Sequence, residues 1–491
     1  MSFGGLPLPL LVLGFPVLGS AIHGSAQHDQ VSAMLVVLPR PEDVPASYLA
    51  SVARFDALAG SRHKIPQEQA LQDILPSFVD QSIFREHAVL HVARILCDHG
   101  NIPKFNDPDT ITPRKSECYY LPTFDQEQGS TRGNMIVLRH YFLEVLAIPK
   151  DVFENIMYFV LGDRLTTDLR AVDRSTSRVD LLGLMHVCMN FMANVGKNAW
   201  GSSGDNDAVS LLSLRDVLPN RNEITARKID FYAWLRFIDM ILHALVISAA
   251  CHTLQITSIN EFTSNDITYN PDGVKKTLCD SVSGHAVLLL HDLMTIKELR
   301  HAIKHGHPQR VVRMLKSWTP MYYAGKSYNY AHECMELLHN IHHDWPSDSA
   351  NVLTAGMLDG FVEGRAHGTN ATSELLAKVT GALGHVRDLT DTLFSQLGVD
   401  EINRYHSHVK QHQDIQMLVR HLMKHRVFDF NVDEQSTHHM GWWSCKHLAR
   451  HKLRLRMRHN EDNETVYEDE GIAEFADLID LQPIDYLDVT A

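Results

Sequence analysis

Apolar positions along the chain recur mostly at helical spacing, and a few short β-branched runs stand between them. MLVVL at 34–38 predicts a strand stopped by Pro39, and IMYFVL at 156–161 predicts another ended by Gly162. Residues 46–102 predict helices, with Leu71, Ile74, Leu75 and Phe78 on one face. A loop rich in Pro, Asp and Thr covers 103–117, and 134–147 predicts a single helix. LLGLMHVCMNFMANV, within 179–200, has the length of a helix. From 205 to 345 the pattern is helical throughout, with apolar or mixed faces at 231–250, 284–304, 308–318 and 327–343. The run 231–250 approaches membrane-span length, but Arg236, Asp239 and His243 interrupt it, which predicts a buried helix. Helices resume over 372–426.

The expected fold is α+β and predominantly α-helical: a small mixed sheet interrupted by a long helical insertion. The expected organisation is a poorly defined N-terminal segment (1–45), then helices with part of a small α/β core (46–204). A mainly helical insertion (205–345) and a helical C-terminal region ending in a basic stretch (346–459) follow. The chain closes on an acidic tail (460–491), expected to be disordered.

Composition changes this picture little. Of 491 residues 44% are hydrophobic and 21% charged, which excludes wholesale disorder. Seven cysteines, widely spaced and without a CxxC, exclude a disulfide framework or zinc ribbon and fit a reducing compartment. The apolar N-terminal run resembles a secretory leader, yet carries no positive residue before Arg40 and is broken by Pro7, Pro9 and Pro16. An intracellular protein, nuclear or cytoplasmic and without a membrane partner, is therefore expected.

Charge is more informative than composition. The net charge is −14, and the tail from Asn460 holds eleven acidic residues and no Lys or Arg. Just upstream, Lys410 to His459 carries ten Lys and Arg against four Asp and Glu. Arg450, Lys452, Arg454, Arg456 and Arg458 alternate through this stretch and are its candidate nucleic-acid contacts, with the tail as an electrostatic mask. The plain alternative is a solvated helix face.

One constellation points to chemistry. Asp163 follows Gly162 just beyond a strand, where α/β sheets present reactive groups. His186 and Asn190 lie four residues apart on one helical face, and Glu333 follows much later on a predicted helix. This order is similar to that of DDE transposases with a ribonuclease-H-like core. There, three carboxylates hold two Mg²⁺ roughly 4 Å apart to activate water and stabilise the leaving oxygen. Asp163 and Glu333 would be the metal ligands, with His186 and Asn190 beside them. The segment at His186 also resembles the C-x-x-H-x-x-x-N helix of Mutator-like transposases, with Gly183 in the place of the Cys. The plain alternatives are a turn for Asp163, a core histidine for His186 and a helix-pairing residue for Glu333.

No GxSxG, GxxxxGK[ST], HExxH or GxGxxG occurs. His87 and His91 have helical i, i+4 spacing but no Glu between them. The clusters His339/His342/His343 and His406/His408/His412 are the remaining metal candidates, without cysteines at finger spacing.

Several runs together (YFVLGDRLTTDLR, LMHVCMNFM, GHPQRVVRMLKSW, YAGKSYNYAHE and HQDIQMLVRHLMKH among them) resemble a fungal family common in mushroom-forming species, domain of unknown function 6589. The likeness covers about 120–425 and supplies no activity. It does imply two departures. Members carry an Asp-Asn pair upstream of the segment matching MLVVLP, where this chain has its apolar N-terminus and only Asp29 nearby. They also carry a D-x-x-Q-E-H segment after the Trp345 region, where this chain offers Asp359 and Glu363. A two-metal site lacking one carboxylate is under-neutralised, so the expectation is a transposon-derived protein that is inactive as a nuclease. The other expectation is a non-enzymatic helical interaction or regulatory protein.

Overall fold

A computed structural model describes residues 11–14, 21–23, 26–28, 30–31, 33–38, 44–59, 67–100, 117–122, 124–126, 131–153, 157–162, 178–202, 207–219, 221, 224–226, 230–258, 281–359, 389, 392–393, 396 and 408–429. Five strands form its main sheet: β1 (Leu11–Gly14), β2 (Met34–Val37), β3 (Glu117–Tyr120), β4 (Tyr158–Gly162) and β5 (Arg178–Leu182). Their order is β3-β2-β1-β4-β5. The first three run antiparallel as a meander, whereas β4 is parallel to β1, and β5 is parallel to β4. Two short antiparallel pairs, Ala21–His23 with Ala26–His28 and Gln30–Val31 with Phe124–Asp125, stand beside it.

The strands predicted at 34–38 and 156–161 are present as β2 and β4. The N-terminal run, which resembled a leader, supplies β1, the middle strand of the sheet. Its consecutive apolar residues suit a strand with partners on both edges. The stretch read as one helix over 179–200 divides at Gly183. Arg178–Leu182 extends β4's edge as β5, and the helix begins at Leu184. Likewise Phe78 does not continue the face of Leu71 and Ile74. The helix Gln67–Ile74 ends, and Phe78 opens the next one, 72% exposed.

The rest of the described chain is helical. The elements used below are α1 (Phe78–His99), α2 (Thr131–Arg139), α3 (Leu184–Ala199), α4 (Leu211–Val217) and α5 (Phe231–Leu254). They continue with α6 (Ser281–Lys304), α7 (Pro308–Ala324), α8 (Tyr328–His339), α9 (Ser347–Asp359) and α10 (His408–Lys424). Local signals set their ends. Ser77 Oγ accepts from the Asp80 N–H while the Asp80 carboxylate accepts from the Ser77 N–H, a reciprocal cap on α1. Asp230 caps α5 through the Ala233 N–H, and Gln255 closes it in the left-handed region at φ 56°.

α5 is long and apolar enough to cross a membrane by length and composition. It lies inside the helical body, with Trp234, Phe237, Ile241 and Leu245 fully buried. Burial of each such side chain is worth about 1.5–3 kcal/mol. One large core joins one side of the sheet to α1 and α3 through α10. A smaller core around Val137, Tyr141, Phe142 and Val160 packs the chain after α2 beneath the sheet.

Candidate functional site

Asp163 follows the last residue of β4 and lies outside the described residues. Its strand is placed: Gly162 pairs with Leu182 at the matching end of β5. From there Gly183, in extended conformation, leads directly into α3. His186 and Asn190 share the first turns of this helix, as the spacing predicts. The Asn190 side-chain amide donates to the His186 carbonyl at 2.9 Å, so it is folded back onto its own helix. Both residues are half-buried.

Glu333 lies on α8, which packs against β5, and only 7% of it is exposed. The structure thus brings the Glu333 helix to the strand that runs into the His186 helix. Two contacts hold this arrangement in register. Phe191 of α3 stacks on Trp318 of α7 with ring centres 3.9 Å apart, and the Tyr322 hydroxyl donates to the Val187 carbonyl at 2.5 Å. At the α7–α8 turn, Ser327 Oγ donates to the side-chain oxygen Oδ1 of the buried Asn194 of α3 at 2.8 Å. Gly325 is required there, because a Cβ on it would sit 2.6 Å from Asn194 Cγ.

The thiols beside this site are silent. Burial pushes the Cys188 thiol up to about 12, and burial followed by the Glu333 charge pushes Cys334 up as well. Neither supplies a thiolate at neutral pH.

A second cluster was invisible to motif reasoning. Glu298 of α6 receives Arg310 Nε (2.6 Å) and His87 Nδ1 (2.9 Å) on one oxygen. Its other oxygen receives Arg310 Nη2 (2.6 Å) and His91 Nε2 (2.8 Å). Arg94 donates to His91 Nδ1 at 3.0 Å, which makes the imidazole neutral, with its proton directed at Glu298. Burial alone would raise the Glu298 carboxyl, but the hydrogen bonds from Arg310, His87 and His91 outweigh it and hold the group far below the carboxylate range. His87 and His91 therefore meet their carboxylate, but it comes from another helix and all four of its acceptor positions are filled. That leaves no place for a metal or a substrate, so the cluster is structural. No sequence signal marks it beyond the i, i+4 spacing of the two histidines.

The other histidine candidates are engaged as well. His343 Nε2 contacts Asp73 at 2.8 Å, His339 faces Asp344 at 3.8 Å, and His342 lies beside the His343 ring. His412 stacks on His99, while His406 lies outside the described residues. Among the described residues no group of three or more His, Cys, Asp or Glu is arranged to hold a metal ion. That statement does not extend to Asp163, nor to the basic stretch containing Arg450, Lys452, Arg454, Arg456 and Arg458, nor to the acidic tail, all outside the described residues.

Residues 63–278 and 261–359 match the model of a family of unknown function (DUF6589). No curated protein and no solved structure matches the chain.

Proposed function

We propose, for a chain that belongs to the DUF6589 family of unknown function, that it is a relic of a DDE-type transposase whose metal site is incomplete. The carrying observation is the sheet: a three-strand antiparallel meander followed by two strands parallel to its first, in the order β3-β2-β1-β4-β5. This is the order expected of a ribonuclease-H-like core. In such a core the carboxylates come from the first strand, the end of the fourth and a late helix. Here the sequence puts Asp163 directly after the fourth strand, and the late helix α8, which carries Glu333, packs against β5. The first strand reads Leu11-Val12-Leu13-Gly14 and offers no carboxylate.

The donor set therefore does not fit a pair of Mg²⁺ ions, which require carboxylate charge from all three elements. No hydrolytic step follows from it. What remains for the protein is binding, with the basic stretch from Arg450 to Arg458 as its nucleic-acid contact. An alternative reading is a non-enzymatic helical interaction or regulatory protein with the basic stretch and the acidic tail as its working parts; the complete pairing of Glu298 and the protonated thiols of Cys188 and Cys334 fit it equally.

Two arms test the proposal. Val12→Cys with Phe159→Cys should cross-link under mild oxidation, since the two positions are register partners, whereas Val12→Cys with Val179→Cys should not, because β4 lies between. The opposite pattern overturns the fold. With Mg²⁺ or Mn²⁺, the full chain should cleave labelled DNA no faster than Asp163→Asn. Metal-dependent cleavage abolished by both Asp163→Asn and Glu333→Gln would overturn the loss of the site.

A further inference from the structure

The helix α10 is held to the body by groups that tolerate no added proton. Ile415, Leu418 and Leu422 bury its apolar face against α5 and its neighbours. Near its start, the His412 ring stacks on His99 of α1, with centres 5.6 Å apart and planes 13° from parallel. His99 Nε2 lies 2.9 Å from His243 Nδ1 of α5, and His243 Nε2 lies 3.4 Å from the Lys297 ammonium of α6.

An ammonium only donates, so His243 Nε2 accepts, and its proton sits on Nδ1, pointing at His99. His99 Nε2 must then carry a lone pair. The Gln416 amide faces His412 Nε2 at 2.9 Å and fixes a lone pair there too. His99 and His243, from two helices, are thus satisfied together only when both are neutral.

The surrounding carboxylates offset added protons only in part. Asp239 is taken by Lys297 at 2.9 Å and faces Arg300 at 3.7 Å, and Asp414 of α10 is taken by Arg221 at 2.9 Å. Asp98 is the remaining acidic neighbour of His99. Farther along, His421 Nε2 donates to the Ala208 carbonyl at 3.1 Å, with His425 and Lys424 adjacent, and Asp429 is shared by His252 and Arg426.

We propose that α10 is an acid-released latch: protonation of His99, on which His412 stacks, and of His243 turns acceptors into opposed donors and lifts the helix from α1 and α5. Burial, followed by the His412 charge, holds His99 below its ordinary range, and burial holds His243 down to about 4. Folded imidazoles that resist protonation mean that any state which exposes them to water binds more protons. The seam is therefore intact above the usual 6.5 and is lost progressively as pH falls toward about 4.

Hydrogen exchange of the full-length protein at pH 7.5 and 5.5, corrected for intrinsic rates, tests this. Residues 408–424 should lose protection by about tenfold or more, a one-unit shift in a single imidazole being worth a factor of ten. Residues 308–324 of α7 should stay protected. His99→Gln with His412→Gln, which replaces the stacked pair by side chains that can accept but do not titrate, should weaken the acid response and leave only the part that comes from His243. The exposed single change His412→Gln, which leaves the core untouched, should reduce it. Unchanged protection of α10, its loss in step with α7, or a full acid response in His412→Gln and the double variant would each overturn the latch.

Discussion

The sheet and the helical body treat charge in opposite ways. At the sheet, α8 with Glu333 packs against β5, while β1 contributes only Leu, Val and Gly. In the body, Glu298 sits among four hydrogen bonds from Arg310, His87 and His91, more completely partnered than a group free to do chemistry could be. The contrast separates two uses of buried polarity. A sheet needs no charged ligand to persist, because its strands are held by packing and backbone hydrogen bonds. A buried ion network persists because removing any one member strands the others.

The largest effect should come from the body. Glu298→Gln leaves Arg310 without its counter-charge, and should cost roughly 3–5 kcal/mol of unfolding free energy by urea titration. Glu333→Gln should cost far less. Equal losses at both positions would erase the distinction. The joint between the two regions comes next. Gly325→Ala drives a methyl into Asn194 and should cost about 1–3 kcal/mol, with α3 losing exchange protection alongside α8. If α3 is unaffected, the turn does not couple the helices. The smallest effect belongs to Ser77→Ala. Losing the reciprocal cap of α1 should cost about 1 kcal/mol, seen as fraying of residues 78–82 while the Glu298 end of α1 stays protected.

Local pattern carried much of the fold. β2 and β4 were legible because Met34–Val37 and Tyr158–Gly162 are compact β-branched runs bounded by Pro39 and Gly162. β5 was hidden because Leu181 and Leu182 join the apolar run of α3, and only Gly183 separates them. β1 was hidden because a doubly flanked strand and a leader share the same apolar composition. His186 and Asn190 fall on one helix face as spacing requires. The Glu298 network could not be read, since its histidines lie 207 and 211 residues away in sequence. Long-range pairing of charges leaves no periodic trace.

The position of β1 also sets an order of events during synthesis. Leu11–Gly14 is made before its parallel partner Tyr158–Gly162, which follows about 150 residues later. At roughly 5–20 residues per second, β1 waits on the order of 10–30 seconds with one edge unpaired. A nascent chain holding an apolar strand open for that interval is a template for stray strand pairing. Holdase chaperones should therefore engage the nascent chain more strongly before Tyr158–Gly162 has been made than after it.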